Sequence, residues 1–264
     1  MPRRFRSRTE PPFPYLTEDI RFEFPPPSTA DSSGVLCTGG NLSPGLLLSA
    51  YAQGVFPWFN VDEPILWWSP DPRFVLFPGE LHVSETMRKK LRRAFGKPES
   101  GLELCLDRDF PGVIRSCSGS PRPGQSGTWI TEDMIDAYQE LHRLGLAHSV
   151  ELRSGGELVG GLYGVGLGDI FFGESMFSRM DDASKLAFIP LAWRLADEGF
   201  TLIDSQVYTD HVAALGGREI PRDKYLRLLA EGVSRTTRRG DWGELFEGFP
   251  ASSEFRRVVL KETS

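Results

Sequence analysis

The chain changes its hydrophobic period over residues 147–156, which read AHSVELRSGG. Apolar and polar side chains alternate there, as they do in a half-buried strand, and the closing Ser-Gly-Gly is typical of a turn. Two further strand patterns follow, over 158–165 and 170–174. Because strands joined by short turns pair with their neighbours, this stretch predicts an antiparallel meander.

The residues after the meander alternate between helix and strand patterns. Residues 182–198 are predicted to form a helix that ends at Gly199, and Pro190 inside it is predicted to kink or break that helix. Beyond it we predict a strand over 201–207 and helices over 209–215 and 222–230. The order of elements indicates an α+β fold in which helices flank a mostly antiparallel sheet.

The residues before the meander contain three helix starts, at Ser43, Ser84 and Thr131. A stretch rich in Ser, Gly and Pro, 116–127, is predicted to form a mobile loop. The predicted organisation is an extended, loosely tethered arm (1–33), a small N-terminal domain (34–80), a larger domain (81–235) and a weakly determined C-terminal tail (236–264).

The composition is that of a globular protein, with 40% hydrophobic and 25% charged residues among 264. We find no apolar run of about 18 residues and no signal peptide, so we predict a cytoplasmic protein without a membrane partner. The net charge of −6 argues against non-specific coating of nucleic acid. One local basic patch is an exception, on the outward face of the helix after Ser84: Arg88, Lys89, Arg92 and Arg93. A solvated helix face is the alternative interpretation of this patch.

Acid and amide groups interrupt two apolar strand patterns. Asp204 and Gln206 are predicted to share one face of the 201–207 strand, and Glu174 is predicted to end the strand that begins at 170. Burying such groups without partners costs about 1–3 kcal/mol each, so their presence indicates a site. The structural alternatives are a polar pair that anchors a loop and an internal ion pair between Glu174 and Arg179.

Two tryptophans stand at the edges of predicted elements, where a ring can present its face to a ligand. These are Trp58 and Trp129, whereas Trp67 and Trp68 beside a Ser-Pro-Asp-Pro turn are predicted to be core residues. Two stacked rings could hold one unpaired nucleoside without reading a sequence. The four histidines show no paired spacing, so no metal site is predicted.

Several motifs together resemble the leucyl/phenylalanyl-tRNA–protein transferases. They include LWWSPDPR (66–73), GTWIT (127–131), FFGESMFSR (171–179) and LIDSQ (202–206). The resemblance implies a C-terminal domain of acetyltransferase-like (GNAT-related) fold. It implies transfer of Leu or Phe, and less well Met, from aminoacyl-tRNA to the α-amine of proteins that begin with Arg or Lys. The product would carry a degradation signal, and the enzyme would be a monomer without a cofactor.

The resemblance also assigns roles to individual residues. It implies catalytic roles for Asp204, Gln206 and Glu174, and contacts to the 3′-terminal adenosine of tRNA for Trp58, Trp129 and Tyr51. The aminoacyl side chain would lie against Leu162, Phe171, Phe188, Leu191 and Ile203, and the basic patch would contact the tRNA backbone. Two alternatives stay open: an acyl-CoA-dependent N-acetyltransferase and a non-catalytic tRNA-binding module. The glycine pattern 161–166 has acetyl-CoA-loop spacing, but it lies inside a predicted strand.

Overall fold

The structure is a computed structural model that describes residues 13–120 and 129–262. A small antiparallel sheet has the strand order β1-β3-β2. Its strands are β1 (Val35–Thr38), β2 (Phe56–Pro57) and β3 (Leu66–Trp68). It lies within the predicted N-terminal domain.

A larger sheet of seven strands has the order β10-β4-β9-β8-β7-β6-β5. Its strands are β4 (Arg73–Leu76), β5 (Leu102–Leu106), β6 (Ala147–Ser154), β7 (Glu157–Leu167), β8 (Ile170–Ser178), β9 (Leu202–Asp204) and β10 (Arg218–Ile220). Every neighbouring pair is antiparallel except β8 and β9, which are parallel. The mostly antiparallel sheet and its central β6–β7–β8 meander confirm the predicted pattern. Because β4 joins this sheet, the sheet begins before the predicted domain limit at residue 80.

Helices pack on both sheets and on each other. They are α1 (Pro44–Ala52), α2 (Glu85–Phe95), α3 (Phe110–Ser118), α4 (Glu132–Arg143), α5 (Ala183–Asp197), α6 (Asp210–Ala213), α7 (Arg222–Val233), α8 (Trp242–Leu245) and α9 (Ser253–Phe255). The side chains of Ser84 and Thr131 accept hydrogen bonds from the backbone N–H of the third residue of α2 and of α4, as a capping residue does. Helix α1 begins directly after Ser43, although the Ser43 side chain makes no capping bond. The three predicted helix starts are confirmed.

Helix α5 runs through Pro190 without a break, so a break at this proline, one of the two predicted outcomes, is wrong. Proline removes one backbone hydrogen bond from a helix interior, at a cost of about 3 kcal/mol. Most of α5 is buried, and it packs against β6, β7 and β8. That apolar burial outweighs the lost bond.

The two ends of the described chain are packed on the core. Phe24 is buried, and the backbone of Phe22 and Phe24 exchanges hydrogen bonds with the side chains of Ser49 and Gln53. Buried residues of the C-terminal region are Trp242, Phe246, Phe255, Val258 and Val259. The prediction of a loose arm is therefore wrong for 22–24, and the tail contributes to the core.

The predicted loop 116–127 begins later than expected, because residues 116–118 form the last turn of α3. Residues 121–127 lie outside the described residues, as do 1–12 of the arm. Within the described ranges, no helix is both long and apolar enough to cross a membrane.

Gly164 lies in β7 directly opposite Gly173 of β8. A Cβ atom on Gly164 would lie 2.3 Å from the backbone oxygen of Phe172, whereas one on Gly173 would meet its nearest atom at 3.8 Å. We expect Gly164→Ala to lower the free energy of unfolding by about 1–3 kcal/mol, measured by urea denaturation. Gly173→Ala is the matched control, and an equal loss in both variants would contradict the steric explanation.

Candidate active site

A cavity of about 400 Å³ opens beside the bulged part of β8. Both tryptophans predicted to face a ligand, Trp58 and Trp129, line this cavity, and so do Glu174 and Gln206. Most of its wall is apolar, from Phe56, Leu162, Met176, Phe177, Val207 and Val212. One cavity thus brings together two indole rings, a carboxyl group and an amide, four groups that lie far apart in the sequence.

A β-bulge directs Glu174 out of the regular sheet. In the β7–β8 ladder Tyr163 pairs with Ser175 and Gly164 pairs with Gly173, so Glu174 is an extra residue on β8. A bulge re-aims the side chain of the extra residue, and bulges are frequent beside active sites. The prediction that the strand ends at Glu174 is wrong, because β8 continues to Ser178 beyond the bulge.

The Glu174 carboxyl accepts hydrogen bonds from three side chains. Tyr51 donates to Oε1 at 2.8 Å, Tyr138 donates to Oε2 at 3.0 Å, and the amide Nε2 of Gln206 donates to Oε1 at 3.3 Å. Burial raises the pKa of Glu174 to about 7, against the hydrogen bonds from both tyrosines, which lower it. Arg179 instead donates to the Leu158 carbonyl and the Ser116 hydroxyl, so the alternative ion pair between Glu174 and Arg179 is wrong.

Asp204 lies behind the cavity, in a buried ion pair with Arg73. The Arg73 guanidinium donates from Nε to Oδ1 at 2.9 Å and from Nη2 to Oδ2 at 2.7 Å, and both side chains are fully buried. The hydroxyl of Tyr225 donates to Oδ2 at 2.8 Å. Burial opposes the charge on Arg73, but the neighbouring carboxylate prevails and holds the pKa of Arg73 above its usual value. Asp204 therefore acts on the cavity only through other residues.

Gln206 is held by Asp204 through its backbone. The strand β9 ends at Asp204, and Gln206 has a φ of 59°, a left-handed conformation that is uncommon for residues other than glycine. Its backbone N–H donates to Asp204 Oδ1 at 2.9 Å. The prediction that both side chains share one strand face is wrong, because the turn sends Gln206 into the cavity while Asp204 stays in the core.

The residues predicted to contact adenosine or the aminoacyl side chain are only partly at the cavity. Tyr51 has no exposed surface, and its hydroxyl contacts Glu174 and Tyr138, so its ring cannot stack on a ligand in this structure. Of the five predicted pocket residues, Leu162 lines the cavity, and the other four are buried in the core behind it: Phe171, Phe188, Leu191 and Ile203.

The basic patch lies on α2, whose apolar face packs inward through Met87, Leu91 and Ala94. Two of its four cations already have protein partners. Arg92 donates to Glu85 at 2.6 Å, and Arg88 lies 3.5 Å from Glu254 and donates to the Val83 carbonyl. Lys89 and Arg93 are exposed.

Three buried residues of the site were absent from the predicted set: Arg73, Tyr138 and Tyr225. Arg73 directly precedes three apolar residues of β4, and because a fully buried arginine is almost always paired, its burial points to an acidic partner. No comparable signal marks the tyrosines, which lie on the inward faces of α4 and α7 and look like ordinary core residues.

Comparisons with known proteins give the family. The family described as "Leucyl/phenylalanyl-tRNA protein transferase" matches residues 75–230, and its N-terminal domain matches residues 40–71. A leucyl/phenylalanyl-tRNA–protein transferase from Myxococcus xanthus is 53% identical over 231 residues, which cover 87% of this chain and 96% of that protein. One from Syntrophus aciditrophicus is 53% identical over 219 residues, 83% of this chain and 89% of that protein.

Among solved structures, L-PGS from Bacillus licheniformis is 15% identical, with 80% of this chain and 68% of that chain covered. Its TM-score of 0.34 is too low to support any conclusion about the fold. The sequence matches are decisive by themselves, since the two family matches include every cavity residue named above. The chain belongs to the leucyl/phenylalanyl-tRNA–protein transferase family.

Proposed function

We propose that this protein transfers Leu or Phe, and less well Met, from aminoacyl-tRNA to the α-amine of proteins that begin with Arg or Lys. The product would carry an N-terminal degradation signal. The observation that carries the proposal is the shared cavity, which two indole rings, Glu174 and Gln206 line together, within a family named for this transfer. We further propose that the enzyme acts as a monomer in the cytoplasm.

The reaction that the proposed function requires is ester aminolysis, the attack of an amine on the aminoacyl ester. The aminoacyl ester is already activated, so the protein has to bind, align and desolvate the two reactants. An α-amine has a pKa of about 7.7–8.0, so part of it is uncharged at neutral pH. Nε2 of Gln206 faces Glu174. The amide oxygen of Gln206 is then the group that would accept a hydrogen bond from the attacking amine and aim it.

The apolar wall of the cavity suits an aliphatic or aromatic aminoacyl side chain. Leu162, Met176 and Phe177 come from the two paired strands β7 and β8, and Val212 comes from α6. Such a wall favours Leu, Phe and Met over polar side chains, although it discriminates by only about 1–3 kcal/mol per methylene. Lys89 and Arg93 are the proposed contacts to the tRNA backbone.

The position of three glycines in β7 argues against the alternative of an acyl-CoA-dependent N-acetyltransferase. The glycines Gly161, Gly164 and Gly166 are all paired inside β7, so they form no loop that could wrap a pyrophosphate. The parallel β8–β9 pair within an otherwise antiparallel sheet supports the proposed acetyltransferase-like relationship of the domain. A shared fold would not by itself imply a shared acyl donor.

The decisive experiment is transfer of labelled leucine from leucyl-tRNA to a peptide that begins with Arg. We expect labelled product, and less or none from a peptide that begins with Gly. Retention of tRNA on a filter without transfer would support the non-catalytic binding module instead. Transfer of acetyl groups from acetyl-CoA to the same peptide would support the other alternative.

The two indole rings that line the cavity are expected to contribute to the affinity for the tRNA end. A base stacked on an aromatic side chain gains about 1–3 kcal/mol, so Trp58→Ala and Trp129→Ala should each raise the dissociation constant for aminoacyl-tRNA by about 5- to 150-fold. Filter binding at fixed salt measures the effect. Trp58→Phe keeps an aromatic face and should lose less. Unchanged affinity in both alanine variants would remove the indoles from the adenosine site.

A further inference from the structure

Glu174 is the carboxyl group of the cavity wall. Among the described residues that line the cavity, its carboxyl and the imidazole of His211 are the groups that can exchange a proton near or below neutral pH. Burial and Lys185 lower the pKa of His211 to about 4, whereas burial raises the pKa of Glu174 to about 7. Glu174 is therefore the stronger base of the two.

The hydrogen bonds among Glu174, Tyr51 and Tyr138 can take up one more proton. Tyr51 and Tyr138 each contact one carboxylate oxygen, and their two hydroxyl oxygens also contact each other. These three oxygen–oxygen contacts share two protons when Glu174 is ionised, because each hydroxyl carries one. Burial raises the pKa of both tyrosines well above its ordinary value, so neither loses its proton. A third proton completes the ring of hydrogen bonds without moving a heavy atom.

The other groups near Glu174 cannot accept the proton in its place. Asp204 is fully buried, and both its oxygens accept hydrogen bonds, from Arg73, Tyr225 and the Gln206 backbone. The amide of Gln206 is a poor base. The titratable and charged groups that face Glu174 are Tyr51 from α1, Tyr138 from α4, Arg73 from β4 and Asp204 from β9.

We propose that the Glu174 carboxylate removes the proton from the α-ammonium group of the acceptor protein before the amine attacks the ester, an inference that rests on the proposed function. The carboxylate gains one proton and the ammonium becomes an uncharged amine. The amine nitrogen then forms the C–N bond, the bond from the carbonyl carbon to the ribose oxygen breaks, and that oxygen takes the second N–H proton. Glu174 returns its proton to water.

The test compares two acceptors in Glu174→Gln, which keeps the shape of the side chain but cannot take the proton. One acceptor is a peptide that begins with Arg, and the other carries a weakly basic α-aminooxy nitrogen that is already uncharged at pH 7. At pH 7 about a tenth of an ordinary α-amine is already uncharged, so we expect the single-turnover transfer rate at subsaturating peptide to fall about tenfold with the ordinary peptide. It should fall less than about twofold with the aminooxy peptide, which needs no deprotonation.

Gln206→Ala is the matched control, because it removes a cavity group that does not titrate and should lower both rates by the same factor. Retained binding of aminoacyl-tRNA shows that Glu174→Gln is folded. Equal losses with both acceptors in Glu174→Gln would overturn the proposed proton transfer and leave the proposed function intact. Absence of leucine transfer by the wild-type protein would instead overturn the proposed function.

Discussion

Replacement of Asp204 by alanine is expected to lower the free energy of unfolding by about 3–5 kcal/mol, because it leaves a buried charge without its partner. The Arg73 guanidinium would keep hydrogen bonds to the Gly54 carbonyl and to Tyr225, but it would lose both bonds to a carboxylate. Arg73 has no exposed surface and lies over the Phe56 and Tyr225 rings, so water does not reach its charge in the folded state. Urea denaturation with an unchanged slope would report the loss.

Two further variants separate the charge from the packing. Arg73→Met should be destabilised by a similar amount, because Asp204 is then the unpaired charge. The double variant Arg73→Met with Asp204→Leu removes both charges, so it should be more stable than the sum of the single losses predicts. A loss below about 1 kcal/mol in Asp204→Ala would mean that the pair contributes no more than an exposed ion pair does.

The ion pair also connects the sheet to the cavity. The Asp204 carboxylate accepts a hydrogen bond from the Gln206 N–H, and Arg73, 131 residues before Asp204, fixes that carboxylate. The position of the Gln206 amide therefore depends on strand β4. Asp204→Asn keeps an oxygen that can accept from that N–H. We therefore infer that any activity left in Asp204→Asn but absent in Asp204→Ala comes from the position of Gln206.

The meander and the helix starts could be predicted because their signals are local. Alternation in β6 and the capping residues Ser84 and Thr131 act within a few residues of themselves. The contribution of the tail to the core depends on distant contacts instead. The Trp242 ring stacks on the His148 ring with centroids 3.8 Å apart. No local sequence pattern indicates a partner 94 residues away. Short elements such as α8 and α9 carry too few residues for a periodic pattern.

The candidate site was predicted in part for the same reason. Glu174 and Gln206 interrupt apolar strand patterns, and that local anomaly marks them. Their partners Tyr51 and Tyr138 lie 123 and 36 residues from Glu174 and resemble core residues in sequence. The turn at Gln206 could have been expected, since Asp often accepts from the N–H two residues later and so ends a strand. The strand predicted over 201–207 therefore ends at Asp204, where the Gln206 N–H donates to the Asp204 carboxylate.

The aminoacyl pocket shows how burial limits sequence reasoning. Phe171, Phe188, Leu191 and Ile203 are apolar, and the sequence cannot tell a residue that lines a cavity from one that lies directly behind it. On β8 the bulge at Glu174 separates Phe171, which is buried and does not line the cavity, from Met176 and Phe177, which do. Phe188, Leu191 and Ile203 lie on α5 and β9, where the sequence shows no comparable local feature.

The conformation of Gln206 leads to a prediction in which stability and activity change in opposite directions. A left-handed conformation costs a residue with a side chain about 1–2 kcal/mol, a cost that glycine does not carry. Strain of this kind persists at functional sites when the surrounding structure enforces it. The turn at Gln206 is enforced by the Asp204 carboxylate, which bonds the backbone and not the side chain. Gln206→Gly should therefore keep the turn.

We expect Gln206→Gly to raise the free energy of unfolding by up to about 1 kcal/mol while lowering the leucine transfer rate about 100- to 1,000-fold. The loss follows because the amide that aims the amine is gone, and aminoacyl-tRNA binding should change little because both indoles remain. Lys261→Gly is the control: Lys261 also has a positive φ, of 58°, but it is exposed and does not line the cavity. It should gain similar stability with unchanged transfer. Full activity in Gln206→Gly would show that the amide has no part in the reaction, and a large loss of stability would show that its side chain supports the fold.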